Sequence, residues 1–200
     1  SAGFLDYCRS VRLIVTDPAV TGRYSDITGH WAEKEMQAVL SLGLFRGTGS
    51  ATFRPERPLT RAELVTVLYR MEGEPPLLAQ NPFRDVPGNR WYSNAVIWAA
   101  AQGIVTGKTP DRFDPDAPVT REQIAAVLYR YAAYLGADTS ARGKLEDYSD
   151  AHRISRYAVD AMSWAVAAGL LQGVDSAALA PKHNATRAQA AVLLIRFRTL

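Results

Sequence analysis

The chain has 200 residues, 48% apolar and 22% charged, the balance of an ordinary globular protein rather than a disordered segment. Its net charge of +3 permits an acidic partner without demanding one. A lone cysteine, Cys8, excludes an intramolecular disulfide framework, and no apolar run reaches the roughly 18 residues a membrane-crossing helix needs.

In chain order, residues 1–23 stand apart from the remainder of the chain. Leu13-Ile14-Val15 reads as a short strand or the tail of an upstream region, and the chain as a fragment or end of something longer. Asp6, Arg9 and the shortness of the apolar run argue against a signal peptide. From residue 24 the sequence repeats. Thr60-Arg61-Ala62-Glu63, Thr120-Arg121-Glu122-Gln123 and Thr186-Arg187-Ala188-Gln189 recur at intervals of 60 and 66 residues. Glycines keep step ahead of them (Gly43 and Gly47, Gly103 and Gly107, Gly169 and Gly173), as do Pro55, Pro115 and Pro181. Trp31, Trp91 and Tyr157 come earlier in each copy, and Asp26, Asp85 and Asp147 stand near the front. A fixed period of this kind is the signature of a repeat architecture. Copies of this size bury too little surface to be stable alone, so residues 24–74, 83–136 and 145–200 are expected to form one domain. Residues 75–82 and 137–144 connect them.

Each copy reads as helix, loop, helix. The first helix begins near Trp31, Trp91 or Tyr157, carries apolar residues at helical spacing, and ends at Gly43, Gly103 or Gly169, the residue suited to a left-handed C-terminal cap. Leu44-Phe45, Ile104-Val105 and Leu170-Leu171 are too short to be strands. A loop rich in Gly, Pro and Asp follows. The second helix opens on the threonine, because Thr followed three residues later by Glu or Gln is a capping box.

Arg61, Arg121 and Arg187 are not explained by capping. Each occupies a first helical turn, where the macrodipole disfavours a cation by about 0.3–1 kcal/mol. Either each arginine pairs with a carboxylate such as the repeat aspartates, or arginine and helix N–H groups together form an anion site. Trp31 and Trp91 are either core anchors of their helices or one wall of a polar-rimmed groove suited to a sugar ring, whereas Trp98 and Trp164 read as core. His30, His152 and His183 share no repeat position, so no metal site is expected. Serine-nucleophile, phosphate-loop and zinc-protease motifs are all missing from the sequence, and nothing supports an enzyme or a cofactor. The basic side chains are scattered, which argues against nucleic acid.

Tyr24-Ser25-Asp26, His30-Trp31-Ala32, Phe83-Arg84-Asp85, Trp91, the paired glycines, the Phe-x-Pro loops at Phe53 and Phe113 and the Thr-Arg helix starts together resemble the S-layer homology domain in its set of three tandem repeats. The resemblance covers about residues 24–200. It implies an all-α, pseudo-threefold assembly around a central helical bundle, with the helix–loop units as three prongs. It also implies non-covalent anchoring of an exported protein at the bacterial cell wall. The implied ligand is a secondary cell-wall polysaccharide, often with pyruvylated, anionic sugars, held in grooves between repeats; some members bind peptidoglycan. The implied binding residues are Asp26, Trp31, Gly47 and Arg61; Asp85, Trp91, Gly107 and Arg121; and Asp147, Tyr157, Gly173 and Arg187. Copy three departs at Tyr157, at Leu179 where the others have Phe53 and Phe113, at Lys182 in place of Glu56 and Asp116, and at Ile195 in place of Tyr69 and Tyr129. A groove relying on its first-helix residues is expected to be degenerate.

Overall fold

The computed structural model describes residues 22–174 and 177–200; Cys8 and the Leu13–Val15 segment lie outside them. Among the described residues six α-helices carry the fold: α1 Glu33–Ser41, α2 Arg61–Met71, α3 Ser93–Ala101, α4 Arg121–Tyr134, α5 Val159–Ala167 and α6 Arg187–Arg198. Among the described residues there is no sheet, only isolated bridges between loops.

The ends of these helices follow from their sequences. Thr60, Thr120 and Thr186 each accept from the N–H three residues on, and Glu63, Gln123 and Gln189 reach back to the threonine N–H, so all three capping boxes are complete. Gly43, Gly103 and Gly169 have φ of 68°, 69° and 69°. There the chain turns out of the first helix through paired hydrogen bonds, such as Gly43 N–H to Leu40 O and Leu44 N–H to Val39 O. The first helices begin two residues after their aromatic residues, at Glu33, Ser93 and Val159. Trp31, Trp91 and Tyr157 therefore sit in the turns ahead of the helices, 65%, 62% and 54% exposed. They are not core anchors. Trp98 and Trp164 are buried as expected.

Packing runs between repeats more than within them. α2 packs on α3, α4 on α5, and α6 returns to α1, so each second helix meets the first helix of the next copy and the third copy closes on the first. At the axis, Leu59 N–H donates to Ala185 O, Ala185 N–H to Val119 O and Val119 N–H to Leu59 O, each at 2.9 Å. This closed ring of backbone hydrogen bonds is the pseudo-threefold axis. All three residues are buried, so each polar group must find a partner, and the ring supplies one for every N–H. Around it one continuous core runs through all three copies, with Phe53, Phe113, Leu64, Ile124 and Leu128 among its fully buried side chains. Near the far ends of the second helices, Tyr131 stacks on Phe197 with ring centroids 5.4 Å apart and donates to Glu72 Oε1 at 2.7 Å.

Leu59 is fully buried beside the ring, and a Leu→Ala change at such a site costs about 2–5 kcal/mol. Leu59→Ala is expected to lower stability by that amount in urea unfolding. Because the three copies share one core, circular dichroism and tryptophan fluorescence should still report one coincident transition.

Candidate functional site

The loops between the helices are held by the repeat aspartates. Asp26 accepts from the N–H groups of Phe53 (2.9 Å) and Arg54 (2.7 Å), and Asp85 from those of Phe113 (2.8 Å) and Asp114 (2.7 Å). In the third copy this contact is made by Asp150, to the N–H groups of Leu179 and Ala180, both at 2.8 Å. Asp147, the aspartate expected from the sequence, is instead exposed at the end of a short 3-10 turn. Arg54, Asp114 and Ala180 adopt φ of 58°, 64° and 51°, which costs a non-glycine residue about 1–3 kcal/mol. A charged acceptor on two adjacent N–H groups offsets it, each bond contributing about 1.5–3 kcal/mol. The aspartate carboxylates are thereby occupied with their own loops.

Each of the three arginines leaves its own helix and enters the loop of the next copy. Arg61 donates through Nε to Phe113 O (2.8 Å) and through Nη2 to Thr106 O (2.9 Å). Arg121 reaches Leu179 O (2.7 Å) and Gln172 O (3.0 Å), and Arg187 reaches Phe53 O (2.9 Å) and Arg46 O (2.7 Å). Two such bonds from a charged group, each about 1.5–3 kcal/mol, outweigh the dipole cost. None of the three pairs with a repeat aspartate. Among the described residues only Arg187 of the three has a carboxylate partner, Glu63, with Nη1 2.6 Å from Oε1.

The helix N–H groups do not add to an anion site. Arg61 and Ala62 N–H donate to Ala117 O and Pro115 O, Arg121 and Glu122 N–H to His183 O and Pro181 O, and Arg187 and Ala188 N–H to Arg57 O and Pro55 O. The third N–H of each helix goes to the capping threonine. The proline loop of the next copy is therefore the real partner of each helix start, and the expectation of free N–H donors is corrected.

Three grooves result, and each draws on all three copies. The first, about 430 Å³, combines Arg61 with Gly107 and Lys108 of copy two and Tyr157 of copy three. The second, about 420 Å³, combines Arg121 with Gly173 of copy three and Trp31 of copy one. The third, about 300 Å³, combines Arg187 with Gly47 of copy one and Trp91 of copy two. The candidate residues of any one copy are thus dealt out among different grooves. The carbonyl just before each loop glycine is the one that takes the arginine Nη2. A Cβ on Gly47 would sit 2.3 Å from the Tyr24 ring, and one on Gly107 2.2 Å from Thr109 O. These two glycines are needed for close approach.

A second arginine, unnoticed in the sequence, lies in each groove: Arg130 in the first, Arg196 in the second and Arg70 in the third. Each stands ten residues after its capping threonine, so the repeat register could have revealed them. Arg70 donates to Leu44 O and Arg196 to Leu170 O. No hydrogen-bond acceptor for Arg130 is found among the described residues.

The departures of copy three fall in different grooves. Phe113 lies under the Arg61 guanidinium and Phe53 under that of Arg187, each with the centroid 4.4 Å away. Leu179 denies Arg121 such a ring. Tyr157 donates to Glu122 Oε1 at 3.2 Å, and burial followed by the Glu122 charge pushes its pKa up to about 12, so it stays a neutral hydroxyl. Lys182 pairs with the buried Glu122 at 2.7 Å, and Ser155 N–H and Oγ both donate to the same carboxylate. Burial lowers the pKa values of Arg61 and Arg121, opposed by Asp114 and Asp85 around the first and by Asp150 near the second. Burial takes Arg187 down to about 10, with Glu63 opposing, and all three remain cations at neutral pH.

A domain of three cyclically packed helix pairs with cationic, aromatic-edged grooves between them is a binding module in form. The family model described as the S-layer homology domain matches residues 23–65, 82–125 and 147–191, and the chain belongs to that family. Modules of this family are cell-surface and wall-associated. Similar proteins include an endoglucanase of Bacillus sp. (strain KSM-635), 32% identical over 164 residues that cover 82% of this chain and 17% of that protein. The surface-layer 125 kDa protein of Lysinibacillus sphaericus is 26% identical over 188 residues, 91% of this chain and 15% of that one. A cellulosome-anchoring protein of Acetivibrio thermocellus is 28% identical over 130 residues, 60% of this chain and 29% of that one. The chain thus spans less than a third of each of these relatives.

Burial alone would raise the pKa of Glu122, but its bonds from Lys182 and Ser155 bring it below the ordinary 4.5. A depressed carboxylate stabilises the fold above its unfolded pKa and loses that contribution as pH falls through the folded value. Glu122→Gln is therefore expected to cost about 1–3 kcal/mol at neutral pH. Its stability should fall less steeply than that of the native chain below pH 4.5, as read by urea unfolding across pH.

Proposed function

We propose that this chain anchors an exported protein to the bacterial cell wall by holding acidic groups of a secondary cell-wall polysaccharide in its inter-repeat grooves. The observation that carries the reading is the state of Arg61 and Arg121. In each, Nε and Nη2 are fixed on loop carbonyls. Nη1 has no acceptor among the described residues, nor is it one of the sealed-off unpaired nitrogens there. A guanidinium so held is a pre-oriented, charged donor that loses little freedom on binding. Beside it stand a second arginine and a largely exposed aromatic ring.

A pyruvyl ketal fits this chemistry. Its carboxylate takes Nη1 and its pyranose ring lies against Trp31 or Tyr157. The carboxylate meets the guanidinium at its Nη1 end, because Nε–H and one Nη2–H are spent on loop carbonyls. The relatives whose names describe surface-layer and cellulosome-anchoring proteins support the anchoring role. Peptidoglycan is the other wall component the family resemblance offers. An alternative reading, in which the module only packs against other proteins and its arginines are internal ion pairs, fits Arg187 alone.

The test is co-sedimentation with purified cell walls before and after the acidic polymer is stripped. Loss of one charged hydrogen bond of about 1.5 kcal/mol weakens binding about tenfold. Arg61→Ala and Arg121→Ala are each expected to show at least that loss, and stripped walls should no longer retain the native chain. Unchanged retention on stripped walls, together with unchanged binding by the double variant, would refute the reading.

A further inference from the structure

The grooves differ at one decisive lining position. Three residues after the capping threonine stand Gln123 in the first groove and Gln189 in the second, but Glu63 in the third. Capping does not choose between them, since amide and carboxylate complete the box alike. The free oxygen does. Glu63 Oε2 serves the Thr60 N–H at 3.0 Å, while Oε1 takes Arg187 Nη1 at 2.6 Å and also accepts from Arg57 Nη2. With Nε on Phe53 O and Nη2 on Arg46 O, the Arg187 guanidinium has an acceptor at each nitrogen. In the sister grooves Nη1 lacks one among the described residues, and no carboxylate there lies in salt-bridge range of Arg61 or Arg121.

We propose that Glu63 closes the third groove to anionic ligands, so that the chain carries two working acid-sugar sites and not three. The inference rests on the anion-binding reading of the grooves. An incoming carboxylate at the third groove meets a like charge already seated on the guanidinium. Arg187 is only 2% exposed, so it cannot swing out to offer another edge. The rest of that groove is complete, with Gly47, Arg70 and an exposed Trp91 in place. Glu63 is the residue that sets the number of sites, and charge rather than shape is how it does so. Replacing it with glutamine copies the arrangement the other two grooves already use, and retains the capping box.

The experiment is isothermal titration of the whole chain with the methyl glycoside of 4,6-O-(1-carboxyethylidene)-N-acetylmannosamine. The native chain is expected to take two equivalents and Glu63→Gln three, with thermal unfolding confirming that the variant is folded. Three equivalents on the native chain, or two on the folded variant, would overturn the proposal. A native chain that binds none of this sugar would defeat the glycan reading alone. The closed groove is then decided with acetate, read from the arginine Nε–H resonances by NMR. Arg61 and Arg121 should shift in the native chain while Arg187 stays silent until Glu63 is Gln. An Arg187 shift in the native chain, or no shift at any of the three, would overturn the proposal.

Discussion

Leu59, Val119 and Ala185 lie on one axis, and their backbone hydrogen bonds run in a closed ring from copy to copy. That ring fixes where every second helix starts, since the residues just after it are the capping threonines. It also sets each helix start against the proline loop of the next copy, whose carbonyls take the first two N–H groups. No copy can satisfy its own helix start. Removing one copy would orphan buried donors in its neighbour, a cost of about 1–3 kcal/mol for each. The three copies are one cooperative unit for that reason, beyond the shortage of core in any one of them.

The same offset makes the grooves. An arginine at the first position of a second helix points at the neighbour's loop because its backbone is already docked there. Its Nε and Nη2 then complete what the backbone began. The opposing first helix comes from the remaining copy and brings its aromatic residue. Degeneracy in a copy is therefore not degeneracy in a groove. Copy three puts Tyr157 in the first groove, Leu179 beside the arginine of the second and Arg187 in the third, so its departures are not gathered in one groove. Lys182, which breaks the repeat pattern, pairs with Glu122, which also breaks it; the two departures compensate across the interface.

Local structure was legible in the sequence because local chemistry determines it. The capping boxes, the left-handed glycines and the buried Trp98 and Trp164 all follow from short-range rules. What was not legible depends on which copy touches which. Trp31 and Trp91 read equally as helix anchors or as a groove wall until the helices are seen to start beyond them. The arginine at the tenth position after each threonine shares the register, yet reads as an ordinary helix-surface cation until the groove is built. Asp147 is the aspartate expected from the sequence, yet Asp150 closes the same Tyr-Ser-Asp run as Asp26 and stands 36 residues before its threonine, against 34 and 35 for Asp26 and Asp85; the register could have found it, and the hydrogen bonds to Leu179 and Ala180 establish it. Free helix N–H donors were a fair expectation for an isolated helix, and the neighbouring loop removes them.

Each groove is shared among copies and not contained within one. A double-mutant cycle on wall binding tests it directly, because interaction energy appears only between residues that act at one site. Trp31→Ala combined with Arg121→Ala should be clearly non-additive, since both line the second groove. Trp31→Ala combined with Arg61→Ala, two residues of one copy, should be additive. Coupling between Trp31 and Arg61 with additivity between Trp31 and Arg121 would instead place binding within a single copy.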